Sequence, residues 1–311
     1  MSAYTGSSIG AAITFPLCGL VIHFFGWEAV FYVTASLGVM WFCAWWLLVY
    51  DTPAAHPRIT HQEMSYIHQS LGDTLSHKKV STPWLKILTS GPMWLTVAVS
   101  WACLWGVFTL LTQAPTYFQV VHGWGIRTNG LLSGIPHICR TALGIGLSYV
   151  CDVMLERGVW SRTTVRKICS CVCSLVQGIF LIGLAFSGCN SILAIICLTV
   201  ALATTGGESP GPLAAYVDLS PNHAGIVLGI SNTVTVISGF LSPFIVGYLT
   251  FENQTAGQWQ IVFLIAAAMT VIPGLLHLFT GTADTQSWNY SEDDKNEEMD
   301  HLKQESLENK R

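Results

Sequence analysis

Two charged side chains sit where hydrocarbon is expected. Arg140, in PHICRTALG (136–144), has Arg127 and Asp152 as its nearest charged neighbours along the chain. Glu208, in TTGGESPGP (204–212), is the only acid far inside an apolar run. A guanidinium cannot shed its charge by deprotonation, and an arginine at mid-bilayer costs ~2.5–3.5 kcal/mol on insertion scales. Such a residue must face protein or a water-filled cavity. Two chemistries suit Arg140: a bidentate grip on a carboxylate or phosphate, or a structural ion pair. Three readings suit Glu208: it carries a coupling proton or Na⁺, it pairs with Arg140, or it does neither. Counted inward from the same membrane face, Arg140 is about 13 residues deep and Glu208 about 17. At 1.5 Å per residue the two depths differ by ~6 Å, so a pair is possible.

Other polar groups lie in apolar surroundings. His137 is one turn before Arg140 and shares its helix face; it binds anion, relays protons, or is a hydrogen-bonded structural histidine. Gln113, Ser231 and Asn232 either line a cavity or bond between helices. Cys169, Cys171 and Cys173 in CSCVC resemble a metal site, but alternate spacing splays the thiols around a helix and no His or acid is adjacent. Apolar packing is the expected role, with no metal and no cofactor. Gly6 and Gly10 form a GxxxG face suited to close helix packing or a bend.

The elements that must position these residues are membrane spans. Hydrophobic residues make up 51% of the 311 and charged residues only 10%. Soluble domains carry about 25% charged residues, so this chain cannot cover itself with a water-compatible surface. Eight apolar runs are long enough for a bilayer: 4–24, 29–50, 92–115, 128–151, 165–187, 191–217, 223–250 and 259–281. The expected class is an all-α membrane protein with the lipid bilayer as its partner. The net charge of −4 and the lack of a basic patch interleaved with aromatics point away from nucleic acid. No HExxH, Walker A, GxSxG or paired-carboxylate pattern is present, so an enzyme is not expected. No basic stretch precedes the first apolar run, and no cleavable signal is expected.

Lys and Arg set the expected orientation. Arg58, Lys78, Lys79 and Lys86 lie in the 51–91 connection, and Arg157 and Arg162 in 152–164, with Arg166 and Lys167 opening the next run. With eight alternating spans both connections fall on one side, which reads as cytoplasmic. The opposite loops are poor in basic residues, and one of them, 251–258, carries the sequon NQT at Asn253. A second sequon at Asn289 falls on the cytoplasmic side and is expected to be unused. The 218–222 connection, DLSPN, has no basic residue and is uninformative. THQE, with Thr60 and Glu63, is a capping box for a short helix in the central connection. Eight of the 18 acidic residues follow Ser291, so 285–311 reads as a solvated, disordered tail.

Taken in order, GWEAVFYVTASLGVMW, DTPAAHPRIT, TPWLKILTS, QAPTYF, LSGIPH, TTVRK, GISNTV, SPFIVGYLT and WQIVFLIAAA resemble the anion–cation symporter family of the major facilitator superfamily. That group holds sodium–phosphate cotransporters, sialin and the vesicular glutamate transporters, and the likeness is strongest to inorganic phosphate cotransporters. The resemblance covers about residues 5–288. It implies a twelve-helix bundle of two six-helix halves, with these eight spans matching helices 5–12. Residues 1–50 would be the last two helices of the N-terminal half, 51–91 the cytoplasmic central loop, 92–284 the C-terminal half, and 285–311 a cytoplasmic acidic tail. SYVCDVMLERG resembles the loop motif after helix 8, with Asp152 in the acidic place, Arg157 following, and Ser148 where glycine is usual. The arginine that glutamate transporters carry in helix 7 is replaced by Cys103, which disfavours glutamate.

The resemblance thus implies secondary active transport of a small anion, inorganic phosphate or organic, coupled to Na⁺ or H⁺. Arg140 would bind the anion, with His137, Gln113 and Asn232 lining the cavity and Glu208 as coupling group or ion-pair partner. The plasma membrane is expected ahead of a lysosomal or vesicular one. The chain also reads as N-terminally incomplete. The alternative expectation is a non-transporting truncated protein that needs the missing N-terminal helices or a full-length copy.

Overall fold

The computed structural model describes residues 2–71 and 82–289. Among these, eight helices or helix runs are long and apolar enough to cross a membrane, and the protein is a multi-pass integral membrane protein. Lys78, Lys79 and the acidic stretch from residue 290 onward lie outside the described residues. Helices α1 (Ser2–Phe25) and α2 (Trp27–Leu48) form the first pair. Two short helices follow in the central connection, α3 (His61–Leu71) and α4 (Trp84–Leu88). Thr60 Oγ1 accepts from the Glu63 N–H at 3.2 Å, one half of the capping box.

The C-terminal bundle begins with α5 (Gly91–His122) and α6 (Ile126–Glu156). Two composite spans come next. One is α7 (Arg162–Cys171), a π turn (Val172–Val176) and α8 (Gln177–Ala185). The other is α9 (Ser191–Thr204), a 3-10 turn (Thr205–Glu208), a π turn (Ser209–Leu213) and α10 (Ala214–Leu219). Helices α11 (Ala224–Thr250) and α12 (Ala256–Thr280) complete it.

Helix α5 outruns its expected end at 115. Pro115 lacks an N–H and would free a carbonyl, yet the helix continues to Gly123, where a left-handed φ of 70° closes it and the Gly123 and Trp124 N–H groups take the Gln119 and Phe118 carbonyls. The expected 116–127 loop shrinks accordingly, and Asn129 Nδ2 of α6 donates to the Pro115 carbonyl, 2.9 Å away.

Apolar burial cannot drive helix association in lipid, so close packing and hydrogen bonds must. The largest core cluster joins α5, α8, α9, α11 and α12 around Tyr117, whose ring meets those of Trp259 and Phe263 edge-on at 5.5 and 5.0 Å. Thr109 and Ser242 hydroxyls bond α5 to α11 at 2.6 Å. Tyr216, 1% exposed, donates to Ser100 at 2.9 Å and accepts from Ser231 at 2.6 Å, tying α10 to α5 and α11.

Helix α1 packs along α6, but not through Gly6 and Gly10. Both are exposed, and an added Cβ at either would meet nothing within 4 Å. The contact face is Ala12, Phe15, Pro16 and Gly19, against which a Cβ on Gly130 or Gly134 would come within 2.8–2.9 Å. Helix α2 packs on α1 and buries no residue.

The expected tail boundary at 285 also moves. Residues 282–289 fold back as a strap across the ends of α7, α10 and α11, and Trp288 and Asn289 are buried. Asn289, the second sequon, spends its side-chain oxygen on Ser220 and the Asn222 N–H.

Candidate functional site

Residues 210–212, the last three of TTGGESPGP, explain why the sixth span breaks. Pro210 and Pro212 cannot donate to the ladder, and Gly211 leaves helical space at φ −90°, ψ −110°. Glycines let the broken segment lie directly on its neighbours. A Cβ on Gly206 would stand 2.6 Å from the Arg140 carbonyl and 2.8 Å from the Gly144 nitrogen. On the other side, a Cβ on Gly207 would stand 3.0 Å from the Cys169 carbonyl. The segment is therefore clasped between α6 and α7, which brings Glu208 to Arg140.

Arg140 Nη2 donates to Glu208 Oε2 at 3.4 Å, with the side chains 19% and 13% exposed. This is longer than the 2.7–2.9 Å of a strong charge-assisted bond, and it is single rather than bidentate. Among the described residues the guanidinium has no second acceptor, so most of its five donors are uncommitted. The Arg140 side chain is partly exposed rather than sealed within the bundle.

His137 is 3% exposed and stacks on Phe15 of α1 at 5.4 Å and 13°. It borders a cavity of about 30 Å³ shared with Phe118, Trp124 and Asn129, roughly the volume of one water. Its Nδ1 has no hydrogen-bond partner among the described residues, which suits a polar occupant in that cavity. Among the described residues no hydrogen bond joins it to Arg140. Gln113 is half-buried on α5 and Asn232 exposed on α11; neither side chain bonds to Arg140 or Glu208. Asp152 and Arg157 lie exposed at the far end of α6, without a bonded partner among the described residues. Asn253 is exposed in the turn between α11 and α12.

Two of the three CSCVC thiols contact cysteines of neighbouring helices. Cys169 and Cys173, one turn apart on the α7 side, meet Cys151 and Cys103 at sulfur separations of 3.1 and 2.9 Å. Among the described residues no group of three His, Cys, Asp or Glu could hold a metal.

One pair was not foreseen from the sequence. Arg166 Nε donates to Asp218 at 2.7 Å and Nη1 to the Pro210 carbonyl at 2.9 Å. Both residues were visible, Arg166 as a topology marker and Asp218 in the uninformative DLSPN. The available signal was their opposite charge at the same end of spans five and six.

Eight membrane-crossing helices or helix runs, one of them broken beside an arginine of its neighbour, define a polytopic α-helical membrane protein. Residues 2–243 match the Major Facilitator Superfamily, and the chain belongs to that superfamily. It is similar to sialin of Homo sapiens, 36% identical over 286 residues, which covers 92% of this chain and 57% of that protein. It is similar also to vesicular glutamate transporter 2 of Bos taurus, 33% identical over 310 residues, covering 98% of this chain and 53% of that protein. The chain thus spans about half the length of the curated relatives it matches.

Proposed function

We propose that this chain is the anion-handling part of a secondary active transporter for small anions, coupled to Na⁺ or H⁺. The observation that carries the reading is the Arg140–Glu208 contact, a single 3.4 Å bond at mid-span that leaves the guanidinium mostly uncommitted. A carboxylate or phosphate offering two oxygens outcompetes one long contact, because the planar fork matches two acceptors. Glu208 is then released. A bare carboxylate in apolar surroundings is costly, so it takes up a cation. Anion binding and cation uptake are linked by the shared partner, and unwound backbone at such depth is where transporters bind substrates and ions. His137 and its one-water cavity adjoin this exchange. Cys103 packs on Cys173 and supplies no cation from α5, which argues against the glutamate named in one set of relatives. Inorganic phosphate or an organic anion remains the substrate class.

Basic residues at the α4 end support a cytoplasmic placing of that end and of the C-terminus. Exposed Asn253 at the opposite end supports glycosylation there, and the plasma membrane is the proposed location.

The test is uptake of inorganic phosphate, monocarboxylates and acidic amino acids by cells expressing the full-length product, at varied Na⁺ and pH. Arg140→Ala should abolish uptake while surface protein stays at wild-type level. Wild-type uptake by Arg140→Ala would sink the binding role.

A further inference from the structure

Helix α10 is six residues long and follows directly on the break that carries Glu208. A helix that short does not hold itself, and the break at Gly211 removes support from α9. It is anchored from two sides. On one, Arg166 grips Asp218 and, through Nη1, the carbonyl of Pro210, two residues beyond Glu208. On the other lies the strap. Thr285 Oγ1 donates to the Asp218 carbonyl at 3.1 Å and the Gln286 N–H to the Leu219 carbonyl at 2.9 Å. These are carbonyls that the end of a helix leaves unpaired. Asn289 Oδ1 accepts from Ser220 Oγ at 2.9 Å and from the Asn222 N–H at 3.0 Å, while Asn222 Nδ2 donates back to the Asn289 carbonyl. Trp288, 6% exposed, plugs the apolar cluster that holds Tyr216 of α10.

We propose that the strap is a positioning element for Glu208: Trp288 and Asn289 fix α10 from outside the membrane, and through it the Arg140–Glu208 pair. The contacts form one contiguous chain, strap to Asp218, Asp218 to Arg166, Arg166 to Pro210 and so to Glu208, which is the physical form that coupling between separated groups requires. Its functional meaning rests on the proposed role of the Arg140–Glu208 pair. It implies that whatever displaces residues 284–289 from this end of the bundle loosens the pair without touching it.

The experiment uses the purified chain in lipid nanodiscs and no anion, so a failed uptake test and a failed strap test are separately readable. Hydrogen exchange is followed by peptide mass spectrometry. Trp288→Ala and the milder Asn289→Ala should each speed exchange about tenfold across 205–219, leaving 105–122 and 256–272 at wild-type rates; Trp288→Phe should restore most of the protection. Acceleration confined to 220–223, or equal throughout the chain for Asn289→Ala, overturns the proposal. A thermal-stability cycle gives the second readout. Glu208→Gln should lower Tm by less in the Trp288→Ala background than in wild type, since the pair is already loosened there; strict additivity overturns the link to Glu208.

Discussion

Two arginine–carboxylate pairs brace the same broken span, and they are built differently. Arg166–Asp218 sits near the end of the bundle at 2.7 Å, and the same guanidinium spends a second donor on a backbone carbonyl. Arg140–Glu208 sits at mid-span at 3.4 Å through one contact. Exposure is similar, 11% and 14% against 19% and 13%, so burial does not separate them. What separates them is how many donors are committed. The first arginine is consumed by the fold, while the second keeps donors in reserve for something that is not protein. Adjacent backbone carries the same contrast. At the Arg166 end a proline carbonyl inside the break accepts from the guanidinium, and at the Arg140 end glycines bring backbone onto backbone and leave the side chains to face each other.

The largest effect should come from breaking the committed pair. Removing one partner of a buried pair leaves the other unpaired and costs about 3–5 kcal/mol; partial exposure places Arg166→Ala and Asp218→Ala near the low end. Arg166→Lys should recover little, because an ammonium cannot reach Asp218 and the Pro210 carbonyl with one fork. Denaturation in detergent reads this directly, and near-wild-type stability for Arg166→Ala would erase the contrast.

Glu208→Gln should cost less than Arg166→Ala, because an amide oxygen can still accept from Arg140 and only a single 3.4 Å contact is weakened. Its larger consequence is functional. Uptake should lose its dependence on Na⁺ or on pH, since the amide can neither bind a proton nor hold a cation as a carboxylate does. A stability loss equal to that of Arg166→Ala, with ion dependence intact, would make both pairs structural.

Much of this was legible beforehand, for physical reasons. Span number followed from run length because a bilayer demands about 20 apolar residues per helix. Arg140 and Glu208 stood out because charge in an apolar run is rare, and their depths allowed a meeting that the fold realises. What was not legible depended on interhelical geometry. GxxxG at Gly6 and Gly10 was a sound local signal, yet the packing face of α1 lies elsewhere because α6 offers Gly130 and Gly134 to Ala12, Pro16 and Gly19. Pro115 marked a helix end that the Gly123 cap postponed. Asp218 becomes informative only when set against Arg166 at the same end of the neighbouring span. The strap was hidden by its polar composition, since Thr285, Gln286 and Asn289 read as tail until their partners on the α10–α11 turn are known.

The smallest effect belongs to the outer edge of the committed side, at Asp284. Thr282 and Thr163 hydroxyls donate to its carboxylate at 2.7 and 2.9 Å and hold its carboxyl below the usual range. Stabilisation of this kind is fully present above the ordinary carboxylate value of about 3.9 and fades as pH falls through the lowered folded value, because the unfolded chain takes up the proton first. Asp284 is exposed, so solvent screening keeps the contribution small. Asp284→Asn should therefore lower Tm slightly at pH 5 and above, and the gap to wild type should narrow as pH is taken below 4. A gap of unchanged size at the acidic end would mean that the contact acts through shape rather than charge. The strap would then be held by Thr285, Gln286, Trp288 and Asn289 without a charge contribution from Asp284, and the Arg166–Asp218 clamp would remain the only charged brace at that end among the described residues.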